Sequence, residues 1–242
     1  MMSQTVEKVS FYDEAWRAWN DMVNYSPAPR LRRTKVIDIL KKRSFKSLLD
    51  VGCGNGAFLK EVGDNISDVA LAGADISPSV TEANRQRFTG MEFFTIDLDT
   101  ETPTGKYDVV VAMEMLQYTV HYNIVIQKLA DITNQRLIIT VPCGPVFEID
   151  RRVGHKRHFT VNEILSAVEK TGLKILWYQK WGFPFFNLYK HAINLSPNKV
   201  CESFLSEKPY TWRQKVVAGI AYQAFRLCLP RGGYQLFVEA AR

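Results

Sequence analysis

The stretch Lys46 to Leu59, KSLLDVGCGNGAFL, constrains this chain more than any other. Leu48, Leu49 and Val51 make a short apolar run of the kind that fills a buried parallel strand. Asp50 sits at the end of that run, and Gly52, Gly54 and Gly56 alternate after it. Ala57, Phe58 and Leu59 then open a helix. Glycine admits positive φ and lets a ligand come close to the backbone. A turn of this kind aims a helix N-terminus, with its unpaired N–H groups, over the edge of the sheet. The segment therefore predicts a doubly wound α/β sheet with a nucleotide-like ligand at the carboxyl end of its first strand.

Two readings of the turn compete. Gly52, Gly54 and Ala57 satisfy the G-x-G-x-x-G/A fingerprint of dinucleotide binders, and Asp75 lies about 20 residues on, as that reading requires. An NAD(P)-dependent oxidoreductase is the alternative that follows. Asp50 argues against it, because a carboxylate at the strand end repels a pyrophosphate and welcomes an ammonium. Gly56 completes the spacing D-x-G-x-G-x-G, and with it the chain resembles the class I S-adenosylmethionine-dependent methyltransferases over roughly Phe45 to Gly172. The resemblance implies a seven-stranded Rossmann-like sheet with an antiparallel last strand. It implies S-adenosylmethionine as cofactor and S-adenosylhomocysteine as product. It places the cofactor on Asp50, Gly52, Cys53, Gly54 and Gly56. Asp75, in AGADISPS, would accept from the ribose hydroxyls, and Ile76 would pack on the adenine. Asp97 would accept from the adenine amino group beside Leu98, with Asp99 as the nearby competitor.

Tyr107 to Ala112 reads as the fourth strand, running into MEMLQYTVHY. By resemblance, Met113 borders the cofactor and the residues after it face the transferred methyl. Glu114, Gln117, Tyr118 and His121 are the candidates there. No N/D-P-P-Y/F/W motif follows this strand, so no nucleic acid is expected as partner. After the fifth strand, Asp150 to Thr160, DRRVGHKRHFT, resembles the G-H-x-R-x-[FY]-[ST] segment of small-molecule and lipid-precursor methyltransferases. His155 and His158 join His121 as candidate bases, because histidine titrates near neutrality. The cations of the loop predict an anionic acceptor, small or lipid-linked. Thr160 and Glu163 form a capping box for the next helix.

The organisation follows. Residues 1–44 predict helices over the cleft, with Trp16 and Trp19 at helical spacing or stapled on the core. A helix over about Pro29–Lys42 carries a solvated basic face that includes Arg32 and Arg33. Residues 45–180 form the core and 233–242 its final strand. Residues 181–232 exceed a structureless loop and show helical spacing at Phe185, Leu188, Tyr189 and Ile193, and again at Val217, Ile220, Ala221, Ala224 and Cys228. This insertion reads as a substrate cap, a membrane-surface element or a contact with a second subunit, so monomer and homodimer both remain open. A non-catalytic membrane-peripheral module is the third class.

Composition narrows the rest. The net charge of +6 fits an anionic substrate, a lipid surface or nucleic acid without choosing. Cys53, Cys143, Cys201 and Cys228 show no C-x-x-C pair, and no metal site is expected. No apolar run reaches the length of a membrane span, and the first residues lack an apolar signal core, which predicts a cytoplasmic chain.

Overall fold

The computed structural model describes residues 2–242, with side chains from residue 9 onward. In chain order the elements are α1 (Met2–Tyr25), α2 (Pro27–Leu40), β1 (Ser47–Val51), α3 (Ala57–Asn65), β2 (Ala70–Asp75), α4 (Pro78–Arg87), β3 (Glu92–Thr95) and β4 (Tyr107–Met113). There follow α5 (Tyr122–Asp131), β5 (Thr133–Pro142), α6 (Glu148–Arg152), α7 (Val161–Glu169), β6 (Lys174–Trp181), α8 (Phe185–Ile193), α9 (Pro197–Phe204), α10 (Trp212–Arg226) and β7 (Gln235–Ala241). The strands form one seven-stranded sheet in the order β3-β2-β1-β4-β5-β7-β6. β7 enters between β5 and β6 and runs antiparallel to both.

Side chains alternate across the pleat, so each central strand feeds two cores. Leu49, Val51, Val110, Leu137 and Ile139 pack with Val125, Ile126 and Leu129 of α5 and Ile164 and Val168 of α7. Leu48, Val109, Val111 and Ile138 pack on the other face with Val36, Ile37 and Leu40 of α2 and Phe58, Leu59 and Val62 of α3. β1 and β4 are adjacent, and the chain winds outward from them in opposite directions. Crevices of open α/β sheets lie at such a reversal, beyond the carboxyl ends of the strands.

Two expectations need correction. Arg33 is not on a solvated face: it is 5% exposed, its Nε donates to Glu61 at 2.8 Å and its Nη1 donates to the Val23 carbonyl at 2.8 Å. That pairing ties α1 and α3 to α2, a long-range arrangement that helical spacing does not reveal. The insertion holds three helices rather than two. α10 turns Ala218 and Phe225 inward and leaves Val217 and Ile220, part of the anticipated apolar face, in solvent. Among the described residues, no helix is long and apolar enough to cross a membrane.

Candidate active site

The glycine turn is built by its backbone. Gly52, Gly54 and Gly56 have φ of 77°, 51° and 73°, the left-handed region that side chains disfavour. Gly52 and Cys53 line a crevice over β1, β2 and β4. Gly54 and Gly56 do not line it and instead shape the turn. The Gly54 N–H donates to Asp75 at 2.9 Å, and its carbonyl accepts from Asn84 Nδ2 at 2.7 Å. A side chain at Gly54 would collide with the Trp16 ring, whose nearest carbon lies 2.0 Å from where Cβ would stand.

α1 is the roof. Tyr12, Trp16 and Trp19 line the crevice, and the two tryptophans meet edge to face with centroids 5.7 Å apart. Asp13 accepts hydrogen bonds from the hydroxyls of Ser77 and Ser79, and Asn20 accepts from Asn55 Nδ2 at 3.0 Å. The aromatic residues thus lie over the cleft. Burial, with Asp75, Asp99 and Asp97 nearby, pushes the Tyr12 phenol well above its ordinary range, so it stays a hydrogen-bond donor.

The acidic residues beneath the roof differ in their hydrogen-bond partners. Asp50 is 2% exposed, lines the crevice, and its Oδ1 has no hydrogen-bond partner. Burial, then the neighbouring Asp75, pushes its carboxyl up to about 8. Asp75 is also raised by burial, but the N–H groups of Ser77 and Gly54 donate to it. Each carboxylate offers about four acceptor sites, so lone pairs remain on Asp75 after these bonds. Ile76, Asp97, Leu98, Asp99 and Met113 complete the wall. Burial also raises the Cys53 thiol well above its ordinary value, which keeps it protonated.

A second cavity adjoins the first and shares Trp19, Met22, Pro29, Arg32, Glu114 and Tyr118 with it. Its further lining is mostly apolar and includes Ile149 of α6, Phe186, Tyr189 and Ile193 of α8, and Phe204 of α9. Glu114 stands at the junction with φ of 57°, a conformation a non-glycine residue adopts only when its surroundings fix it. Its Oε1 accepts from Thr140 at 3.0 Å and from Gln235 Nε2 at 2.6 Å, and its Oε2 lies 3.7 Å from Arg32 Nη1. Arg32, expected on a solvated face, instead reaches the site from α2, and Gln235, which carried no sequence signal, reaches it from the far end of the chain.

The Asp150 to Thr160 loop delivers two imidazoles to this cavity. His155 Nδ1 and His158 Nε2 are 3.0 Å apart, and His158 Nδ1 is 3.2 Å from the Gly144 carbonyl. A carbonyl only accepts, so His158 Nδ1 donates and its Nε2 accepts. His155 Nδ1 must then donate, which leaves the lone pair on His155 Nε2. Burial lowers both imidazoles, His155 to about 3, so both are neutral near pH 7. Asp150 lies 3.9 Å from His155 Nδ1 and 3.7 Å from His158 Nε2. Burial works against its ionisation, yet the Lys190 ammonium and the Phe147 N–H hold it below the ordinary carboxylate range. Ligand atoms of Asp150, His155 and His158 lie within 4.8 Å of one another, the size of a metal cradle. Lys190 Nζ already pairs with Asp150 Oδ1 there.

Two expectations fail here. His121 is exposed at the start of α5 and lines neither cavity, because a tight 3-10 turn over Leu116–Tyr118 carries the chain away first. The loop cations, the basis for an anionic acceptor, turn outward. Arg151, Arg152 and Lys156 are exposed, and Arg157 pairs with Glu163 of the capping box.

A methyltransferase-domain family model matches residues 16–188. The chain therefore belongs to the class I S-adenosylmethionine-dependent methyltransferase family. A curated relative, the malonyl-[acyl-carrier protein] O-methyltransferase of Acetivibrio thermocellus, is 30% identical over 98 residues, 39% of this chain and 35% of that protein. The two curated relatives found are matched over only 32% and 35% of their lengths. Among solved structures, magnesium protoporphyrin IX methyltransferase from Synechocystis PCC 6803 with bound SAM is similar with TM-score 0.59 at 16% identity, covering 98% of this chain and 96% of that one. The N-methyltransferase NodS from Bradyrhizobium japonicum WM9 with S-adenosyl-L-homocysteine gives 0.58 at 14% identity, covering 91% and 90%. The family match decides between the two readings of the glycine turn, in favour of the methyltransferase.

Proposed function

We propose that this enzyme methylates a hydroxyl of a small, mainly apolar acceptor held in the second cavity, a class that includes lipid-linked molecules. The observation that carries the reading is a neutral imidazole lone pair, His155 Nε2, in a cavity that shares a wall with the cofactor crevice.

The crevice fits S-adenosylmethionine because Asp50 offers a buried, unpartnered carboxyl oxygen where a cation is wanted. Asp50 would hold the ammonium of the amino-acid tail along Gly52 and Cys53. The remaining lone pairs of Asp75 would take ribose hydroxyls, and Asp97 or Asp99 the adenine amino group between Ile76 and Leu98. When bound, this cofactor supplies an electrophilic methyl on a sulfonium centre. Roofing of the crevice by Tyr12, Trp16 and Trp19 would keep water from the bound cofactor. Glu114, fixed by Thr140, Gln235 and Arg32, positions the junction where acceptor and crevice meet. His155 Nε2 removes the hydroxyl proton as the oxygen attacks. The imidazolium that forms keeps its Nδ1–H toward His158 and gains the Asp150 charge at 3.9 Å.

A hydroxyl needs such a base and a carboxylate acceptor does not. The test supplies labelled cofactor to separated lipid and aqueous extracts, identifies the labelled product, and repeats the assay with His155→Gln. The account expects a methyl ether in the lipid extract and a rate lower by about 10²-fold, with cofactor affinity intact. A methyl ester formed at the wild-type rate by the variant overturns it.

A further inference from the structure

The insertion between β6 and β7 leaves an unusual amount of apolar side chain in water. On α10, Phe225 and Ala218 face the core, and the Arg30 guanidinium of α2 lies 4.3 Å over the Tyr222 ring. The opposite side of the same helix is also apolar. Trp212, Ile220 and Leu227 are 69%, 67% and 69% exposed, with Val216 and Val217 beside them. At helical periodicity Trp212, Val216, Ile220 and Leu227 fall on one stripe, turn after turn, with Gln223 between the last two. A helix that is apolar on both its buried and its solvent face needs a second partner for the latter.

The charges around the stripe identify that partner. From Lys208 to Gly233 the chain carries Lys208, Arg213, Lys215, Arg226 and Arg231 and no carboxylate. All of these cations are exposed, and among the described residues none pairs with an acid. We infer that the outer face of α10 docks on an anionic lipid bilayer, with Trp212, Val216, Ile220 and Leu227 in the headgroup–acyl boundary and the flanking cations among the headgroups. A second copy of the chain is disfavoured because a two-fold contact would set the same cations against themselves. A nucleic acid would meet the cations and leave the apolar stripe in water. An anionic bilayer satisfies both. Phe186, Tyr189, Ile193 and Phe204 of α8 and α9, in the same insertion, wall the second cavity.

The inference concerns a surface and stands apart from the chemistry proposed above, which cofactor binding reads separately. The test is co-sedimentation of the whole chain with phosphatidylcholine vesicles and with vesicles that also contain phosphatidylglycerol. Affinity for the anionic vesicles is expected to be at least ~10-fold higher and to fall with salt. Val216→Asp/Ile220→Asp, both at exposed positions, is expected to lower it by ~10-fold or more, with S-adenosylhomocysteine affinity and melting temperature unchanged. Arg213→Gln/Lys215→Gln is expected to weaken binding and flatten its salt dependence. Three results overturn the inference. One is wild-type protein that binds S-adenosylhomocysteine but no vesicle. Another is vesicle binding indifferent to Val216→Asp/Ile220→Asp. The third is a concentration-dependent dimer that this variant disperses, which would assign the stripe to a second copy.

Discussion

Replacing Asp50 by asparagine should move two properties in opposite directions. The Asp50 carboxyl is buried, lacks a partner for Oδ1, and is raised from 3.8 to about 8. One pKa unit corresponds to ~1.4 kcal/mol, so keeping this group protonated at pH 7, when the unfolded chain would ionise it, costs the fold on the order of 4 kcal/mol. The sign follows from proton counting. Between pH about 4 and about 8 the folded state holds a proton that the unfolded state releases, so stability falls as pH rises. Asparagine removes this dependence, but its amide N–H groups enter a site where an unmet donor costs ~1–3 kcal/mol. The net expectation is a ligand-free protein more stable than wild type by ~1–3 kcal/mol at pH 7, with the gain larger at pH 8 and absent near pH 4. Cofactor binding should weaken, because a charge-assisted hydrogen bond of ~1.5–3 kcal/mol is lost, about 10- to 150-fold in affinity. Urea melts at pH 5 and pH 8, with S-adenosylhomocysteine titrations beside them, read both effects. An Asp50→Asn protein that is less stable at pH 8 yet binds the ligand as wild type does would refute the reasoning.

Other perturbations test separate parts of the account. Gly54→Ala forces a side chain into the Trp16 ring at φ of 51°, so it should cost about 1–3 kcal/mol of stability, seen in denaturant melts, and shift the emission of the roof tryptophans to longer wavelength by freeing them to water. Arg33→Met strips Glu61 and the Val23 carbonyl of a buried donor, with an expected loss of about 2–4 kcal/mol in the same melts. Because His155 is neutral above about pH 3, the rate under saturating cofactor should be level from pH 6 to 7.5. A rise centred near 6.5, the ordinary imidazole value, would show that burial does not control this residue.

The sequence made the first part of the site legible because its signals are local. The alternation of Gly52, Gly54 and Gly56 after an apolar run dictates a strand, a left-handed turn and a helix start within a dozen residues. Asp75 before Ser77–Pro78 likewise marks a strand end and a capped helix, and Ser77 does accept from the Val80 N–H. Thr160 and Glu163 form their capping box as the spacing requires. Contacts between distant parts of the chain were not legible. Glu114 is held by Arg32, Thr140 and Gln235, and Asp150 by Lys190, and no periodicity links those positions. The loop cations misled because composition does not say which way a side chain points. The insertion misled more subtly: its apolar spacing is real, but on α10 the face it marks reaches into solvent, while Phe225 and Ala218 seat the helix. α9 escaped notice because it is short and buries none of its residues.

The central claim is that the fold keeps one acidic group neutral beneath the α1 roof until a cationic ligand arrives. Titration calorimetry with S-adenosylhomocysteine at pH 7, run in two buffers of different ionisation enthalpy, tests it directly. The account predicts one binding site and release of close to one proton per ligand, lost in Asp50→Asn. Folded protein that takes up no ligand, or that binds it with no exchange of protons, would contradict it.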